Sequence, residues 1–330
     1  MNRCLLEYTG SLLLNGRYIV SPYGVNKKKP VGDLAPLAYK TVYNNALNKV
    51  KVDYKKIKKV TIINGLGVTL GDSIIGISAL RAIKSINPDI HITLIRPEHC
   101  QDYVEQIYHM ASGIIDKLLH LPFDIAKINH TDVNIDMGNQ LYWEDFDSIE
   151  MHDFFLTNLG INPQSINDNI KNNSWLLNTD VPDFDLGEYI LFCPNASTKI
   201  RSIPSRFHFE IVEELSREFG VKVLGFNDVD HPNFLNISNI SRDTLSFAGI
   251  IKHACFLYTC DSSALHLGAG FNIPTRCIFT TVKPELRSLY YTKCESIYIG
   301  NNHTEGVHCS EDDYMLEVLN KEFEEFYAYV

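Results

Sequence analysis

The sequence has no excess of positive charge, no long apolar run and no regular spacing of its cysteines. Its 30 Lys and Arg against 40 Asp and Glu give a net charge of -10. That balance argues against nucleic acid as the main partner, because phosphate backbones require clustered cations. No segment approaches the roughly 18 apolar residues of a membrane span. The start, Met1 to Tyr8, lacks the apolar core of a signal peptide. We therefore expect a cytoplasmic protein.

The eight cysteines are scattered, and several lie in apolar, strand-like runs. This distribution favours reduced, buried thiols over a disulfide framework. Cys294, His303, His308 and Cys309 are of metal-ligating type, but their spacings are not those of zinc sites. We predict no metal there and regard these four residues as weak candidates.

With 330 residues, 45% of them hydrophobic, the chain is long enough for two domains with substantial cores. Strand-like and helical patterns alternate twice, on either side of a polar, Asn-rich stretch. They include a predicted helix from Asp72 to Asn87 and a predicted strand from Tyr189 to Cys193. This indicates an α/β fold with two doubly wound, Rossmann-like domains facing each other across a cleft. The predicted parts are an N-terminal extension made of a hairpin and a basic arm (1–58), a first domain (59–165), a linker (166–188), a second domain (189–310) and a C-terminal helix that packs back on the first domain (311–330).

Two basic clusters lie in the N-terminal part, at Lys27 to Lys29 and from Lys49 to Lys59. They are typical of a solvated linker. The alternative is a peripheral contact with the anionic inner face of a membrane.

A glycine-rich loop runs from Asn64 to Ser73, between a predicted strand and a predicted helix. Gly67 and Gly71 permit a tight turn and the close approach of a ligand to backbone. The glycine spacing is one residue too long for a dinucleotide fingerprint, and the next strand ends in Arg96 rather than an acidic residue, which argues against a nicotinamide enzyme. Asp72 at the helix start is either an N-cap or a general base for an acceptor hydroxyl.

Two further loops follow strands in the second half of the chain. The loop from Cys193 to Pro204 carries Ser197, Lys199 and Arg201, which form either a solvated loop or a site for a phosphate group. The segment from Cys260 to Gly270 follows an apolar strand, and Asp261, Ser262 and Ser263 are residues that begin helices. Such a helix start favours phosphate binding, and His266 is placed to assist. The alternative is an ordinary capped helix.

These three loops together resemble glycosyltransferase family 9, the ADP-heptose heptosyltransferases with the GT-B fold. The residues that carry the resemblance are Gly71-Asp72 followed by Ala79-Leu80-Arg81-Ala82, Arg201 three residues before Pro204, and Asp261-Ser262-Ser263-Ala264-Leu265-His266. Ile203 replaces the family's usual aromatic residue, and Ser263 stands where a glycine is usual.

The resemblance implies an inverting, metal-independent transferase without a cofactor. Its donor is a nucleotide sugar, most simply ADP-heptose, and its acceptor a glycan, lipid-linked or protein hydroxyl, as in lipopolysaccharide biosynthesis. Asp72 takes the position of the catalytic base. The positions that bind the donor diphosphate and sugar are taken by Ser197, Lys199, Arg201, Asp261, Ser262, Ser263 and His266. The positions near the nucleoside are taken by Asn227 and Asp228. The alternatives are a GT-B-like enzyme with a UDP or GDP donor, an epimerase, or a non-catalytic nucleotide-sugar-binding partner.

Overall fold

The computed structural model describes residues 3–328, except for the side chains of Arg3 and Cys4. The chain divides into two compact units, residues 1–171 and 172–330. The boundary lies inside the stretch 166–188, in which Asn173 and Leu176 are fully buried. These residues are thus part of the folded second unit, whereas the sequence predicts a linker there.

The first unit is a mixed α/β structure. Its elements are α1 (Arg3–Leu6), β1 (Leu12–Leu14), β2 (Tyr18–Val20), α2 (Pro22–Lys27), β3 (Leu34–Pro36), β4 (Val42–Tyr43), β5 (Lys59–Ile63), α3 (Leu70–Ile86), β6 (His91–Arg96), α4 (Asp102–Met110), β7 (Lys117–His120), β8 (Phe123–Asp124), β9 (Val133–Asp136) and α5 (Met151–Asn158). The central sheet has the order β4-β9-β5-β6-β7, and its strand pairs are parallel.

The central helix of this unit is α3, which joins β5 to β6. Its buried side carries Ile74, Ile77 and Leu80, all fully buried, at the spacing that places residues on one helix face. The Thr69 side chain caps the helix by accepting a hydrogen bond from the Asp72 N–H. The packing of α3 on the sheet therefore places Asp72 at the carboxyl end of β5.

The N-terminal residues are an integral part of the first unit. A small antiparallel sheet has the order β3-β1-β2-β8, and β4 extends the central sheet by pairing with β9. The carboxylate of Asp136, at the end of β9, accepts hydrogen bonds from the Ser11 N–H and hydroxyl, both at 2.7 Å. The predicted hairpin is present as β1 and β2, but the prediction of an extension for residues 1–58 is corrected by these contacts.

The second unit is a doubly wound α/β structure. Its elements are β10 (Tyr189–Cys193), α6 (His208–Phe219), β11 (Lys222–Gly225), β12 (Phe234–Asn236), α7 (Thr244–Lys252), β13 (Phe256–Cys260), α8 (Ser263–Gly270), β14 (Thr275–Phe279), β15 (Cys294–Tyr298) and α9 (Asp313–Ala328). The sheet has the order β12-β11-β10-β13-β14-β15, with parallel pairing throughout. The edge strands β12 and β15 are not predicted from the sequence.

The C-terminal helix α9 is part of the core of the second unit. Leu319 and Phe323 are buried there together with Ile200 and Phe207, and the Phe207 and Phe323 rings stack with centroids 5.4 Å apart. The sequence predicts packing on the first domain, and this is corrected: the amphipathic pattern of α9 correctly indicates a buried side, but the aromatic partners of that side are in the second unit.

The cysteines with described side chains, which exclude Cys4, have free thiols. Burial raises the pKa of Cys260 to about 12, so this thiol stays protonated at neutral pH. Within residues 3–328, no helix is long and apolar enough to cross a membrane.

Candidate functional site

The loops with the predicted donor-binding residues leave neighbouring strands of the second unit at the same edge. Strands β10 and β13 are parallel, with Cys193 opposite Thr259. The Thr259 hydroxyl donates a hydrogen bond to the Cys193 carbonyl oxygen at 3.0 Å. Because both strands end at this level, the loop from residue 194 and the Asp261 turn begin side by side. In open α/β sheets, ligands bind at this carboxyl edge.

An ion pair joins the two loops. An Nη2 atom of Arg201 lies 3.1 Å from Oδ2 of Asp261 and also donates to the Asp261 carbonyl oxygen. The Nη1 atom lies 3.4 Å from the Ser197 hydroxyl. The structure therefore brings together three of the predicted residues. Much of the Arg201 guanidinium is bound to Asp261, whereas the sequence predicts that Arg201 binds phosphate.

The Asp261 carboxylate is buried, with 3% of its surface exposed. Burial by itself raises the pKa of this carboxyl group, but its electrostatic interactions, first with Arg201 and then with Arg287, His266 and His308, outweigh burial and hold the pKa below its ordinary value. Asp261 is thus a fixed negative charge at neutral pH. At this edge the Asp261 carboxylate pairs with the Arg201 guanidinium.

The Asp261 turn leads directly into α8. Ser262 is the N-cap residue in extended conformation, but its side chain makes no capping hydrogen bond, and no acidic residue lies in the first turn of α8. Ser262 and Ser263 are both half-buried. The helix itself contributes no carboxylate at its positive end, and the Asp261 charge before it is paired with Arg201, so the helix start suits an anionic ligand.

His266 lies one turn further along α8 and is buried. Its Nδ1 is 2.8 Å from the Tyr291 hydroxyl, and the Asn173 side-chain amide donates to the same hydroxyl at 2.9 Å. Asn173 also donates to the His266 carbonyl oxygen at 3.2 Å. These contacts hold the His266 ring in place beside the start of α8, and its predicted role in donor binding stays a prediction.

A pocket with a volume of about 710 Å³ opens beside the same loops, within the roughly 300–1,000 Å³ range of small-molecule sites. Its polar side includes Ser197, Lys199, Asn227 and Asp228, so the predicted nucleoside-binding residues border the same space as two predicted phosphate ligands. The apolar wall comes from Ile203 and the leucines of α9. The other polar residues that line the pocket are Asn195, Thr198, Ser202, Ser205, Arg206, His208, Glu311 and Asn320.

Hydrogen bonds hold the polar side of this pocket in shape. The Asn195 side-chain amide donates to the Asn227 side-chain oxygen at 2.9 Å, which ties the loop after β10 to the loop after β11. The Asn236 amide donates to the Asp228 carboxylate at 2.7 Å. Lys199 and Asp228 are exposed, so their charges face solvent and a ligand in the pocket can reach them.

His208 forms part of the pocket wall. Burial lowers its pKa, although its hydrogen bond with the Ile203 carbonyl oxygen at 2.9 Å acts in the opposite sense. The ring is therefore neutral at pH 7, and its Nε2–H is the donor because a carbonyl oxygen only accepts.

In the first unit, Asp72 lies half-buried at the start of α3. Gly67 precedes it with a φ of +95°, and a Cβ atom at Gly67 would lie 2.6 Å from the Asp72 Cβ. A side chain at position 67 would therefore strain the backbone and displace Asp72. Gly71 is half-buried in the first turn of α3.

Arg96 supports this glycine-rich loop and was not predicted as a site residue. Its side chain is fully buried, and Nη1 donates to the carbonyl oxygens of Gly65 at 3.0 Å and Gly67 at 2.6 Å. Nε and Nη2 donate to Oε1 of Glu105 at 3.2 Å and 3.1 Å. The guanidinium also lies 4.0 Å from the Tyr108 ring centroid. The sequence signal for Arg96 is its place at the end of an apolar strand, because a charged group that is buried there requires a hydrogen-bonding partner.

The weak metal candidates do not converge in the structure. Within residues 3–328, no group of three or more His, Cys, Asp and Glu side chains is arranged to hold a metal ion. Cys294 lies 3.4 Å from the Ser296 hydroxyl, and His303 and Cys309 are exposed. His308 Nδ1 lies 3.0 Å from the Thr281 hydroxyl.

The structure adds His308 and Arg287 to the candidate donor site. The His308 carbonyl oxygen accepts a hydrogen bond from the Thr198 hydroxyl at 2.8 Å, and both His308 and Arg287 lower the pKa of Asp261. They lie outside any motif, in irregular segments after β14 and β15. Only the folded chain brings them to Asp261.

No family model and no curated protein matches the sequence. Among solved structures, a glycosyl transferase family 9 protein from Veillonella parvula is similar at 13% identity and a TM-score of 0.53, covering 84% of this chain and 100% of that one. The chain has the fold of that protein. This confirms the predicted GT-B fold class, with two α/β units.

Two enzymes from E. coli show weaker similarity. The heptosyltransferase WaaC with ADP is 13% identical, with a TM-score of 0.48, over 80% of this chain and 99% of that one. The iron-containing glycosyltransferase TibC is 15% identical, with a TM-score of 0.48, over 75% of this chain and 63% of that one.

Proposed function

We propose that the chain is a glycosyltransferase of the family 9 type that transfers a sugar, heptose, from an ADP-sugar to a hydroxyl group of a bacterial surface glycan or protein. The observation that carries the proposal is the arrangement at the carboxyl edge of the second unit. There the Arg201–Asp261 pair, the start of α8 and the pocket beside Lys199 lie on neighbouring loops. The similarity to the Veillonella parvula fold is consistent with it.

The donor would bind to the second unit in two parts. Its nucleoside would occupy the pocket bordered by Asn227 and Asp228, where amide and carboxylate groups can bind base and ribose hydrogen-bond donors and acceptors. Its diphosphate would lie at Lys199 and at the start of α8, where Ser262 and Ser263 provide hydroxyls and N–H groups. Because this unit has 12 Lys and Arg against 22 Asp and Glu, the attraction for an anion must come from these local groups.

Arg201 would act mainly by positioning in this arrangement. Asp261 neutralises and orients the guanidinium, and the remaining N–H groups of Arg201 would help to stabilise negative charge on the leaving diphosphate. This assignment differs from that of a primary phosphate ligand, because Nη2 is already shared with Asp261.

Asp72 would act as the general base. The acceptor hydroxyl would lose its proton to the Asp72 carboxylate while its oxygen forms a bond to the anomeric carbon of the sugar. The bond from that carbon to the diphosphate oxygen breaks, the bond electrons leave with ADP, and the configuration inverts. The Gly67 turn and Arg96 would maintain the position of Asp72 during this step.

The test compares two matched carboxylate variants of the first unit, Asp72→Asn and Asp102→Asn, each in the first turn of a helix. We expect Asp72→Asn to reduce kcat on the order of 10²- to 10⁴-fold while leaving ADP affinity unchanged, and Asp102→Asn to retain activity. Calorimetry with ADP, UDP and GDP would identify the nucleotide, and mass analysis of acceptor extracts incubated with ADP-heptose would identify the product. Full activity in Asp72→Asn would rule out the base assignment, and tighter binding of UDP or GDP would rule out the ADP donor.

A further inference from the structure

A buried arginine near Asp261 has no role in the proposed transfer. Arg287 lies in the segment between β14 and β15, outside the motifs that the sequence analysis identifies. We propose that Arg287 binds the distal phosphate of the nucleotide sugar, the phosphate that is bonded to the sugar, and stabilises its negative charge as the sugar leaves. The inference rests on the proposed function and deepens it, because it assigns the main cationic ligand of that phosphate.

The Arg287 guanidinium has few partners in the folded chain. The residue is 8% exposed. Its Nη1 donates to the Leu286 carbonyl oxygen at 2.9 Å, and within residues 3–328 the guanidinium makes no other hydrogen bond and no ion pair. Its unbonded nitrogens are not among the polar atoms enclosed in the core. Because a buried charge is costly without partners, these N–H groups are placed to receive an anion.

The other arginines discussed above have protein partners. Arg96 pairs with Glu105 and donates to two backbone carbonyl oxygens. Arg201 pairs with Asp261. Arg287 differs from both, because its one hydrogen bond within the described residues goes to the carbonyl oxygen of its own neighbour. The difference indicates that the partner of Arg287 is a ligand rather than a protein group.

The charges around Arg287 favour an anion at this position. Arg201 and Asp261 lie 3.1 Å apart, so their charges offset each other. Arg201 first, and then Arg287, lower the pKa of the Asp261 carboxyl group, which shows that the Arg287 guanidinium is near the turn that leads into α8. The start of α8 adds the positive end of a helix dipole. An anion at this turn therefore meets a second cation that no carboxylate within residues 3–328 pairs with.

The order of strands in the sheet indicates which phosphate Arg287 meets. The order in this part is β11-β10-β13-β14. The pocket is bordered by Asn227 and Asp228 after β11 and by Lys199 after β10, whereas α8 follows β13 and Arg287 follows β14. Neighbouring strands lie about 4.8 Å apart, so the segment after β14 begins roughly 10 Å from the loop after β10. A nucleotide with its nucleoside in the pocket would thus extend its distal phosphate towards Arg287.

Hydrogen bonds hold the Arg287 segment in place. The Thr280 hydroxyl, directly after β14, donates to the Ile200 carbonyl oxygen at 2.7 Å. The Arg287 backbone N–H donates to the Pro284 carbonyl oxygen at 3.0 Å, and the Ser288 hydroxyl donates to the same oxygen at 2.9 Å. A guanidinium on a fixed backbone stabilises developing charge with little reorganisation.

Arg287 takes no proton in the transfer step. The bond from the anomeric carbon to the distal phosphate oxygen breaks, and its electrons remain on that oxygen. The new bond forms between the anomeric carbon and the acceptor oxygen, whose proton goes to Asp72. Arg287 donates hydrogen bonds to the phosphate throughout, and these strengthen as the phosphate gains charge.

The test compares ADP with AMP, which lacks the distal phosphate, by calorimetry. The variant is Arg287→Met, and the control is Arg217→Met, since Arg217 is exposed on α6 and its loss changes the net charge equally. We expect the wild type to bind ADP more tightly than AMP. Arg287→Met should lose on the order of 10- to 100-fold in ADP affinity with AMP affinity unchanged. Arg217→Met should bind both nucleotides as the wild type does.

A second variant, Arg287→Lys, keeps the charge but not the planar fork of N–H groups. Its ADP affinity should lie between those of the wild type and Arg287→Met, and melting curves verify that each variant is folded. Three results would each overturn the inference: a wild type with no preference for ADP over AMP, unchanged ADP affinity in Arg287→Met, or equal losses for ADP and AMP in that variant, which would indicate a structural role.

The outcome is separable from that of the proposed function. If UDP or GDP binds more tightly than ADP, the same comparison applies to that diphosphate and its monophosphate. A chain that transfers no sugar but loses only diphosphate affinity in Arg287→Met contradicts the proposed function alone. Sugar transfer by the wild type, with unchanged ADP affinity in Arg287→Met, contradicts this inference alone.

Discussion

Replacing Arg96 by methionine should destabilise the first unit strongly. The substitution removes the hydrogen bonds to the carbonyl oxygens of Gly65 and Gly67 and leaves Glu105 without its guanidinium partner. Breaking a buried ion pair costs about 3–5 kcal/mol. Because Glu105 is 20% exposed, we expect about 3–4 kcal/mol, a substantial part of the roughly 5–15 kcal/mol that stabilises a domain.

The assay is denaturant unfolding followed by tryptophan fluorescence. The chain has two tryptophans, and Trp143 belongs to the first unit, where its indole N–H donates to the Thr9 carbonyl oxygen. In a Trp175→Phe background, the emission therefore reports on the first unit. The matched control is Arg81→Met, an exposed arginine on α3, which should change the unfolding free energy by less than about 0.5 kcal/mol.

A double-mutant cycle with Glu105→Gln separates the ion pair from the hydrogen bonds to the glycine-rich loop. If the pair contributes as argued, Arg96→Met should cost about 1–2 kcal/mol less in the Glu105→Gln background than in the wild type. The part that persists belongs to the two unpaired carbonyl oxygens. A cost below about 1 kcal/mol for Arg96→Met, or additivity of the two changes, would refute the reasoning.

Two more substitutions test the two halves of the candidate site. Gly67→Ala should cost about 1–3 kcal/mol of unfolding free energy and reduce transfer, because the φ of +95° and the 2.6 Å approach to Asp72 exclude a side chain. The control is Gly113→Ala, where nothing lies within 4 Å and stability should be preserved. Equal melting temperatures of the two variants would contradict this prediction. Arg201→Met should destabilise the second unit by about 3 kcal/mol at pH 7. Because the pKa of Asp261 is lowered in the folded protein, its ionised carboxylate stabilises the fold above its ordinary pKa, and this stabilisation is lost as pH falls through the folded value. The difference in unfolding free energy between Arg201→Met and the wild type should therefore shrink below about pH 4. A difference that grows in acid would refute the ion pair.

The repeating part of the fold is predictable from the sequence because its signals are local. The predicted strand from Tyr189 to Cys193 agrees with β10, and the helix predicted from Asp72 to Asn87 agrees with α3 within two residues at each end. Both segments carry their own periodicity and end signals. The three-residue strands β3 and β12 are too short for such a period.

Contacts between segments that are distant in the sequence determine the features that local sequence patterns do not predict. The amphipathic pattern of α9 indicates a buried side, but the partner of that side is Phe207, more than a hundred residues earlier. Likewise, the order of motifs suggests that Arg201 and Asp261 serve one ligand, yet their mutual ion pair requires the register of β10 and β13. Arg287 and His308 lie in irregular segments, where no periodic pattern marks a site.

The bonds from Ser11 to Asp136 also determine when the first unit can be completed during synthesis. The two residues are 125 positions apart, so the ribosome must add the intervening chain before the N-terminal strands meet their partner. At roughly 5–20 residues per second, this interval is on the order of 6 to 25 s. Throughout it the apolar strand residues Leu12 and Ile19, fully buried in the folded unit, are accessible to chaperones. The N-terminal strands are therefore made first but cannot meet Asp136 until the end of β9 has been made.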